Sequence, residues 1–205
     1  MWSKLIGDTF RTRTSVEIYA REYYGLNGGL NGCAYHNWLH ILDCYDYLEK
    51  SAVAYDEDLD YAVMHHDIVY DNQPYKELRS AELMLEWYPK RKTAAEIIMA
   101  TVDHKITEDM TWQEQMMIKA DLHQLADLAQ ATRNYVKIMD ESVGLYGITP
   151  LEFATGNATF MMQLQLTILA NMQVDADHDF WDDVRQGIDH TIAISQSMKK
   201  LGKLQ

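Results

Sequence analysis

Proline and cysteine are scarce in this chain of 205 residues, which contains three prolines and two cysteines. Pro74, Pro89 and Pro150 leave long intervals in which nothing interrupts a helix. Cys33 and Cys44 cannot form the disulfide framework of a small secreted protein, and no CxxC motif is present. These shortages favour a helical protein that folds around an apolar core in a reducing compartment.

Long hydrophobic runs are also absent. No apolar stretch reaches the roughly 18 residues that are needed to cross a bilayer. Charges at Lys4, Asp8, Arg11 and Arg13 interrupt the N-terminal segment, which therefore lacks the apolar region of a secretory signal. We expect a cytoplasmic protein that does not associate with membranes.

Basic residues are in deficit, with 18 Lys and Arg against 31 Asp and Glu and a net charge of −13. Non-specific binding to nucleic acid depends mainly on Lys and Arg side chains that neutralise phosphates, so we do not expect it here. A site for a small anionic substrate would need a local positive centre. In an acidic protein a bound metal ion is the natural candidate.

The spacing of apolar residues predicts helices and shows no alternation of period two, so the predicted fold class is all-α. The glycine-rich segment 25–32 predicts a loop. Thr14 and Glu17 have the spacing of a capping box, and Thr149 with Pro150 forms a typical helix start. The predicted helices cover residues 14–24, 36–50, 56–70, 77–87, 93–102, 111–127, 150–171 and 177–200, and residues 128–142 either continue the sixth helix or follow a short break.

Two apolar features of these helices have simple interpretations. Cys44 lies at helical spacing among apolar residues and is interpreted as a small core residue. Segment 161–172 carries the apolar stripe Met161, Met162, Leu164, Leu166, Ile168 and Leu169 and predicts a largely buried helix. It is also apolar enough to form an interface between copies of the chain, so a homo-oligomer is a possible assembly.

Histidine and aspartate form the pattern that points to chemistry. Four of the eight histidines lie in the short segments 35–40 and 65–67. His36 and His40 would share one face of a helix, whereas the adjacent His66 and Asp67 could reach one metal only if a helix end directs both into the site. Asp121, on a later predicted helix, completes a set of two imidazoles and two carboxylates.

Such a mixed nitrogen and oxygen set suits Mn²⁺, Fe²⁺, Co²⁺, Ni²⁺ or Zn²⁺. Four protein ligands on a six-coordinate ion leave positions for water and for a phosphate oxygen. Each of these residues alone is more often an ordinary surface or core residue than a ligand. The residue pattern by itself leaves both interpretations open.

The order His40, His66-Asp67, Asp121 resembles the H…HD…D signature of the HD superfamily of metal-dependent phosphohydrolases. The chain is most similar to small bacterial and phage members with the motifs YHNxxHI, FHDxVYD, NExxSA, ATxxH and DADL. The corresponding segments here are YHNWLHI (35–41), HHDIVYD (65–71), KELRSA (76–81), ATVDH (100–104) and KADL (119–122).

The resemblance implies one HD-type helical domain over residues 1–205, with the motif core at about 35–125 and a C-terminal helical extension from about 128. It implies hydrolysis of a phosphate ester or anhydride in a small molecule, with a nucleotide as the favoured substrate. The metal ligands would be His40, His66, Asp67 and Asp121, and the ion could be Mn, Fe, Co, Ni, Zn or Mg.

Two more distant relatives suggest catalytic roles. Cyclic-nucleotide phosphodiesterases contain a similar YHNxxH, in which the first histidine acts as general acid, so His36 is the candidate acid here. Alarmone hydrolases have HDxxED, in which the second acid corresponds to Asp71 and Tyr70 replaces the first. Asp71 could orient the attacking water, or could simply bond to backbone at a helix end.

Four further residues are candidates for contacts with a ligand nitrogen, a water or a phosphate. Glu77 could support a metal-bound water or the second nitrogen of a histidine ligand. His104 and Lys105 could contact a second metal or a phosphate, and Arg79 could contact a phosphate. Ordinary exposed positions on helices explain each of them equally simply.

The chain departs from the family pattern at Cys33, His65, Lys76 and Lys119, where the family has Arg, Phe, Asn and Asp. These departures leave room for a second reading, a non-catalytic protein that binds or senses a nucleotide. A third interpretation is a di-iron oxygenase on the same scaffold. That group needs two further histidines between the His-Asp pair and the final Asp, and only His104 lies there. His65 itself is interpreted as a packing residue.

Overall fold

The computed structural model describes residues 13–24 and 33–202. These residues form nine α-helices and one short 3-10 helix (His123–Leu125), and they contain no β-strand, so the predicted all-α class is confirmed. The helices are α1 (Arg13–Tyr24), α2 (Trp38–Lys50), α3 (Glu57–His65), α4 (Lys76–Trp87), α5 (Lys92–Met99), α6 (Trp112–Leu122), α7 (Leu128–Tyr146), α8 (Pro150–Val174) and α9 (His178–Gly202). The predicted glycine loop at 25–32, the charged N-terminal segment and the capping side chain of Thr14 lie outside the described part of the chain.

Side-chain caps explain where several helices begin. The predicted capping box at the start of α8 is present, since the side chain of Thr149 accepts from the backbone of Glu152 and the side chain of Glu152 accepts from the backbone of Thr149. Asp127 caps α7 by accepting from the backbone N–H of Gln130. The predicted short break before residue 128 is therefore the correct alternative.

Several predicted helices differ from the observed ones by a few residues at their ends, and two of these differences affect the candidate site. The helix predicted from His36 begins at Trp38, because the side chain of Asn37 accepts from the N–H of Leu39 and caps the helix there. The helix predicted over 56–70 ends at His65. Beyond it, the N–H of Val69 donates to the hydroxyl of Ser80 on α4 instead of to a helical carbonyl.

The chain divides into two compact units. The first comprises residues 1–103 and 110–121, and the second comprises residues 104–109 and 122–205. The boundary at residues 121–122 lies close to the expected junction between the motif core and the C-terminal helices. A single domain over 1–205 stays a prediction.

The core of the first unit draws on all six of its helices. Its largest fully buried side chains are Trp38, Tyr24, Ile41, Leu48, Leu59, Met64, Ile68, Met84, Ile97 and Ile98. Burial of each aliphatic side chain contributes roughly 1.5–3 kcal/mol. This core fixes α2 and α3 against their neighbours and thereby positions the histidines that these helices carry.

The second unit packs α7, α8 and α9 around buried residues that include Phe153, Ile168 and Trp181. The prediction that segment 161–172 is largely buried is only half right. Met161, Leu164 and Ile168 are buried at helical spacing, but Met162, Leu166 and Leu169 are exposed, with Leu166 exposed by 69%. One face of this helix is therefore buried and the other is exposed, although both faces carry apolar side chains. An interface between copies of the chain stays a prediction.

None of the helices in the described residues combines the length and the apolar composition that a membrane crossing requires.

Candidate metal centre

The four predicted metal ligands meet at one point in the first unit. Their nitrogen and oxygen atoms all lie within 4.8 Å of one another. His40 Nε2 lies 3.1 Å from His66 Nε2, 3.3 Å from Asp67 Oδ2 and 3.2 Å from Asp121 Oδ1. His66 Nε2 lies 3.1 Å from Asp67 Oδ2 and 3.6 Å from Asp121 Oδ1. Residues separated by up to 81 positions in sequence thus present donor atoms to a common centre.

Local structure explains how each ligand reaches this centre. His40 lies in the first turn of α2, on the side of the helix that packs into the core. His66 is the C-cap of α3, and its N–H still donates to the carbonyl of Ala62. Asp67 follows in the turn after the helix, and Asp121 lies in the last turn of α6.

The second nitrogen of His66 has a partner that fixes the tautomer. Nδ1 lies 3.0 Å from the carbonyl oxygen of Val63, which can only accept, so Nδ1–H is the donor. In the neutral imidazole the lone pair is then on Nε2, which faces the other ligands. The backbone of its own helix thus satisfies the second nitrogen of His66. A role of Glu77 toward a metal-bound water or the second nitrogen of a ligand stays a prediction.

The electrostatics of the centre favour bound positive charge. Burial raises the pKa of the Asp67 carboxyl, but the neighbouring imidazoles of His66, His36 and His40 lower it by more, so that Asp67 ionises well below its usual range. Burial lowers the pKa of His66, but the carboxylates of Asp67 and Asp121 raise it by more. The two carboxylates therefore stabilise positive charge at the centre, which either protons on the imidazoles or a bound metal ion can supply. Because protons compete with the metal ion for the imidazoles, metal binding should weaken as the pH falls.

The separations of the four donor atoms fit a divalent cation. Around an ion with ligand bonds of about 2.1 Å, neighbouring ligand atoms lie about 3.0 Å apart in octahedral and about 3.4 Å apart in tetrahedral geometry. The five separations given above run from 3.1 to 3.6 Å. The side chains of both histidines are 1% exposed, whereas those of Asp67 and Asp121 are 12% and 17% exposed. The part of the centre that contacts solvent is therefore its carboxylate side.

His36, the predicted general acid, lies beside the centre but not on α2. Its ring is 5.9 Å from that of His40, centre to centre, and is half-buried. The ring of Tyr70 stacks on it at 3.5 Å with an angle of 17° between the planes, and Lys76 Nζ lies 3.7 Å from the centre of the Tyr70 ring. The expectation that His36 and His40 share a helix face is wrong, because Asn37 caps the helix between them. The two rings are nevertheless neighbours.

Asp71 and Arg79 contact each other. The guanidinium donates to both carboxylate oxygens of Asp71, at 2.5 and 3.1 Å, and the N–H of Gln73 donates to the same carboxylate. The side chains are 44% and 31% exposed. Arg79 lowers the pKa of Asp71 through these hydrogen bonds. The predicted roles of Asp71 in orienting water and of Arg79 in contacting phosphate stay predictions. For either role, the ion pair would have to open, or both side chains would have to contact the substrate together.

The remaining predicted contacts are Glu77, His104 and Lys105, and none of them belongs to the group of side chains that could hold a metal ion. Glu77 is half-buried in the first turn of α4. His104 and Lys105 belong to the second unit, whereas all four ligands belong to the first. His104 has a left-handed backbone (φ 53°), and its carbonyl accepts from the side chain of Asn171. Contacts of Glu77, His104 and Lys105 with a phosphate stay predictions.

Sequence reasoning missed one residue of the centre. Cys44, interpreted above as a core residue, is fully buried, and its sulfur lies 4.0 Å from His40 Nε2. The available signal was its spacing of four residues from His40, which places both side chains on one face of α2.

No protein-family model matches the chain, and neither does any curated protein or solved structure. The likeness to HD phosphohydrolases therefore depends on five short motifs in sequence. The geometry adds an independent observation, which is a buried group of histidine and aspartate side chains able to hold a metal ion.

Proposed function

We propose that this chain is a metal-dependent phosphohydrolase of the HD type, acting on a phosphate ester or anhydride of a small molecule, with nucleotides as the favoured substrates. One observation carries the proposal: the donor atoms of His40, His66, Asp67 and Asp121 converge at separations that suit a single divalent cation. Two further facts support it. The carboxylate side of the centre is partly exposed, and an imidazole outside the ligand set lies next to it.

The side chains have distinct tasks in this proposal. Asp67 and Asp121 hold the ion as carboxylates, while His40 and His66 present Nε2, and the Val63 carbonyl keeps His66 in the required tautomer. A divalent ion bound there would supply Lewis acidity and neutralise charge on the phosphoryl group.

His36 is the candidate to protonate the leaving oxygen. An imidazole can hold and release a proton near neutral pH. The stacked ring of Tyr70 restricts the orientation of His36, so that the imidazole does not rotate freely in solvent. The leaving oxygen of a substrate on the exposed side of the centre would then lie within reach of this ring.

The first experiment is a hydrolysis screen of the full chain against nucleotides, alarmones and cyclic dinucleotides with Mn²⁺, Co²⁺ or Mg²⁺. We expect turnover by the wild type and its loss in Asp67→Asn, which keeps the side-chain volume but removes the charge. Asp46→Asn is the matched control, because Asp46 is an exposed residue of α2 that pairs with Lys50 at the surface. Equal activity in wild type and Asp67→Asn would refute the proposal, and tight nucleotide binding without product would favour a sensing protein.

A second experiment separates the acid from the ligands. His36→Gln should retain bound metal but lose about 10²- to 10⁴-fold in turnover, the usual contribution of general acid catalysis. Substrates with a p-nitrophenolate leaving group need little protonation, so their hydrolysis should suffer much less. An equal loss on both kinds of substrate would show that His36 is not the acid.

A further inference from the structure

A second set of possible ligands overlaps the first. A ring nitrogen of His40, the sulfur of Cys44 and a ring nitrogen of His66 all lie within 4.8 Å of one another, and all three residues are buried. Cys44 follows His40 by one turn of α2, and its sulfur lies 4.0 Å from His40 Nε2. The two imidazoles thus belong both to the set with the carboxylates and to the set with the thiol.

The position of the sulfur suits ligation with a small movement. Around a tetrahedral ion, sulfur at about 2.3 Å and nitrogen at about 2.05 Å lie about 3.6 Å apart. The observed separation of 4.0 Å would have to shorten by about 0.4 Å for the sulfur and His40 Nε2 to bind one tetrahedral ion.

We propose that Cys44 is a further ligand of this centre and that His40, Cys44 and His66 together hold thiophilic cations such as Zn²⁺, Co²⁺ or Cd²⁺. The thiol releases its proton to water as the sulfur binds the ion. This inference rests on the proposed metal centre and concerns which ions that centre selects.

The consequence is a preference among metals that the carboxylates alone would not give. Thiolate is a soft ligand that favours Zn²⁺ and similar ions, whereas carboxylate suits Mg²⁺ and Mn²⁺. A centre with both kinds of ligand beside two imidazoles can hold a hard ion without the sulfur and a soft ion with it. Removal of Cys44 should therefore change affinity for soft ions only.

Cobalt gives a direct readout, because a cobalt–thiolate bond produces a strong charge-transfer band in the near ultraviolet. The chain has two cysteines, and Cys33 is the matched control, a buried residue whose sulfur donates to the carbonyl of Tyr70. In Cys33→Ser, any thiolate band must come from Cys44. We expect the full chain and Cys33→Ser to develop this band on titration with Co²⁺, and Cys44→Ser to bind Co²⁺ without it.

Affinity measurements complete the test. Loss of a partner outside the ligand shell already weakens metal binding about 10- to 100-fold, so Cys44→Ser should bind Cd²⁺ about 100-fold less tightly than Cys33→Ser, with Mn²⁺ binding unchanged. If Cys33→Ser binds Co²⁺ but shows no thiolate band, the role of Cys44 is refuted and the four-ligand centre stands. If the wild type binds no divalent ion at all, the proposed function fails with it.

Discussion

His65 provides a sharp test of the electrostatics next to the metal centre. The residue is fully buried, and its ring is surrounded by those of Tyr61, Trp87 and Tyr88. Nδ1–H donates to the carbonyl of Tyr61 at 2.7 Å, whereas Nε2 is buried without a hydrogen-bond partner. Burial lowers the pKa of His65 from its ordinary value of 6.5 to about 4.

The lowered pKa sets the sign of a pH effect on stability. The unfolded chain binds a proton at this residue more readily than the folded chain, so the stability that neutral His65 contributes is fully present above pH 6.5 and is lost as the pH falls toward 4. Between about pH 7.5 and about pH 5 these two pKa values correspond to a loss of about 2 kcal/mol in the free energy of unfolding.

The substitution His65→Phe isolates this effect. At about pH 7.5 the variant loses a hydrogen bond worth about 1 kcal/mol but removes an unpartnered nitrogen that costs about 1–3 kcal/mol, so it should equal or modestly exceed wild type in stability. At about pH 5 its advantage should grow by about 2 kcal/mol.

Urea denaturation of metal-free protein at both pH values measures the difference. His178→Gln, which removes an exposed histidine, is the control for the loss of one imidazole. An advantage of His65→Phe that is the same at both pH values would refute the reasoning.

Three further predictions concern packing, hydrogen bonding and metal linkage. A Cβ on Gly187 would lie 1.7 Å from the carbonyl oxygen of Leu125, whereas a Cβ on Gly156 would meet nothing within 4 Å. The substitution Gly187→Ala should therefore lower the Tm by about 6–12 °C, and Gly156→Ala should raise it slightly. Asn171→Ala removes the buried hydrogen bond from the N–H of Ile106 and the hydrogen bond to the carbonyl of His104, and it should cost about 1–3 kcal/mol. A shift of the urea midpoint measures this cost, and an unchanged midpoint would contradict the prediction. Saturation with Mn²⁺ at about 100 times its Kd should stabilise the wild type by about 2.7 kcal/mol, or about 5–11 °C in Tm, and Asp121→Asn should lack this shift if Asp121 is a ligand.

Much of the helical framework could be predicted because it depends on local signals. The capping box at Thr149 and Glu152 and the break before α7 lie within a few residues of the backbone groups that they satisfy. The errors arise where distant residues decide. The true end of α3 depends on Ser80, whose hydroxyl accepts from the N–H of Val69, and nothing near residues 66–70 reveals this competitor.

The convergence of the four candidate ligands was expected from the sequence, but their environment could not be predicted. The residue pattern suggested His40, His66, Asp67 and Asp121 as one set, and the resemblance to HD proteins implied the same four residues. The hydrogen bond between Asp71 and Arg79, the stacking of Tyr70 on His36 and the approach of Cys44 to His40 are tertiary contacts. Periodicity assigns a residue to a face of a helix but does not say which neighbour that face meets.

The mistaken length of α3 and the convergence of His66 and Asp67 have a common physical cause. Consecutive side chains on a continuous helix point about 100° apart, so His66 and Asp67 would diverge if α3 extended to Tyr70 as the apolar pattern suggests. The helix ends at His65, the backbone turns, and His66 Nε2 comes within 3.1 Å of Asp67 Oδ2. Just beyond this turn the N–H of Val69 donates to the hydroxyl of Ser80, so α4 stabilises the end of α3 beside the candidate ligands. In this chain the adjacent His-Asp pair is thus presented by a helix end that a neighbouring helix holds in place.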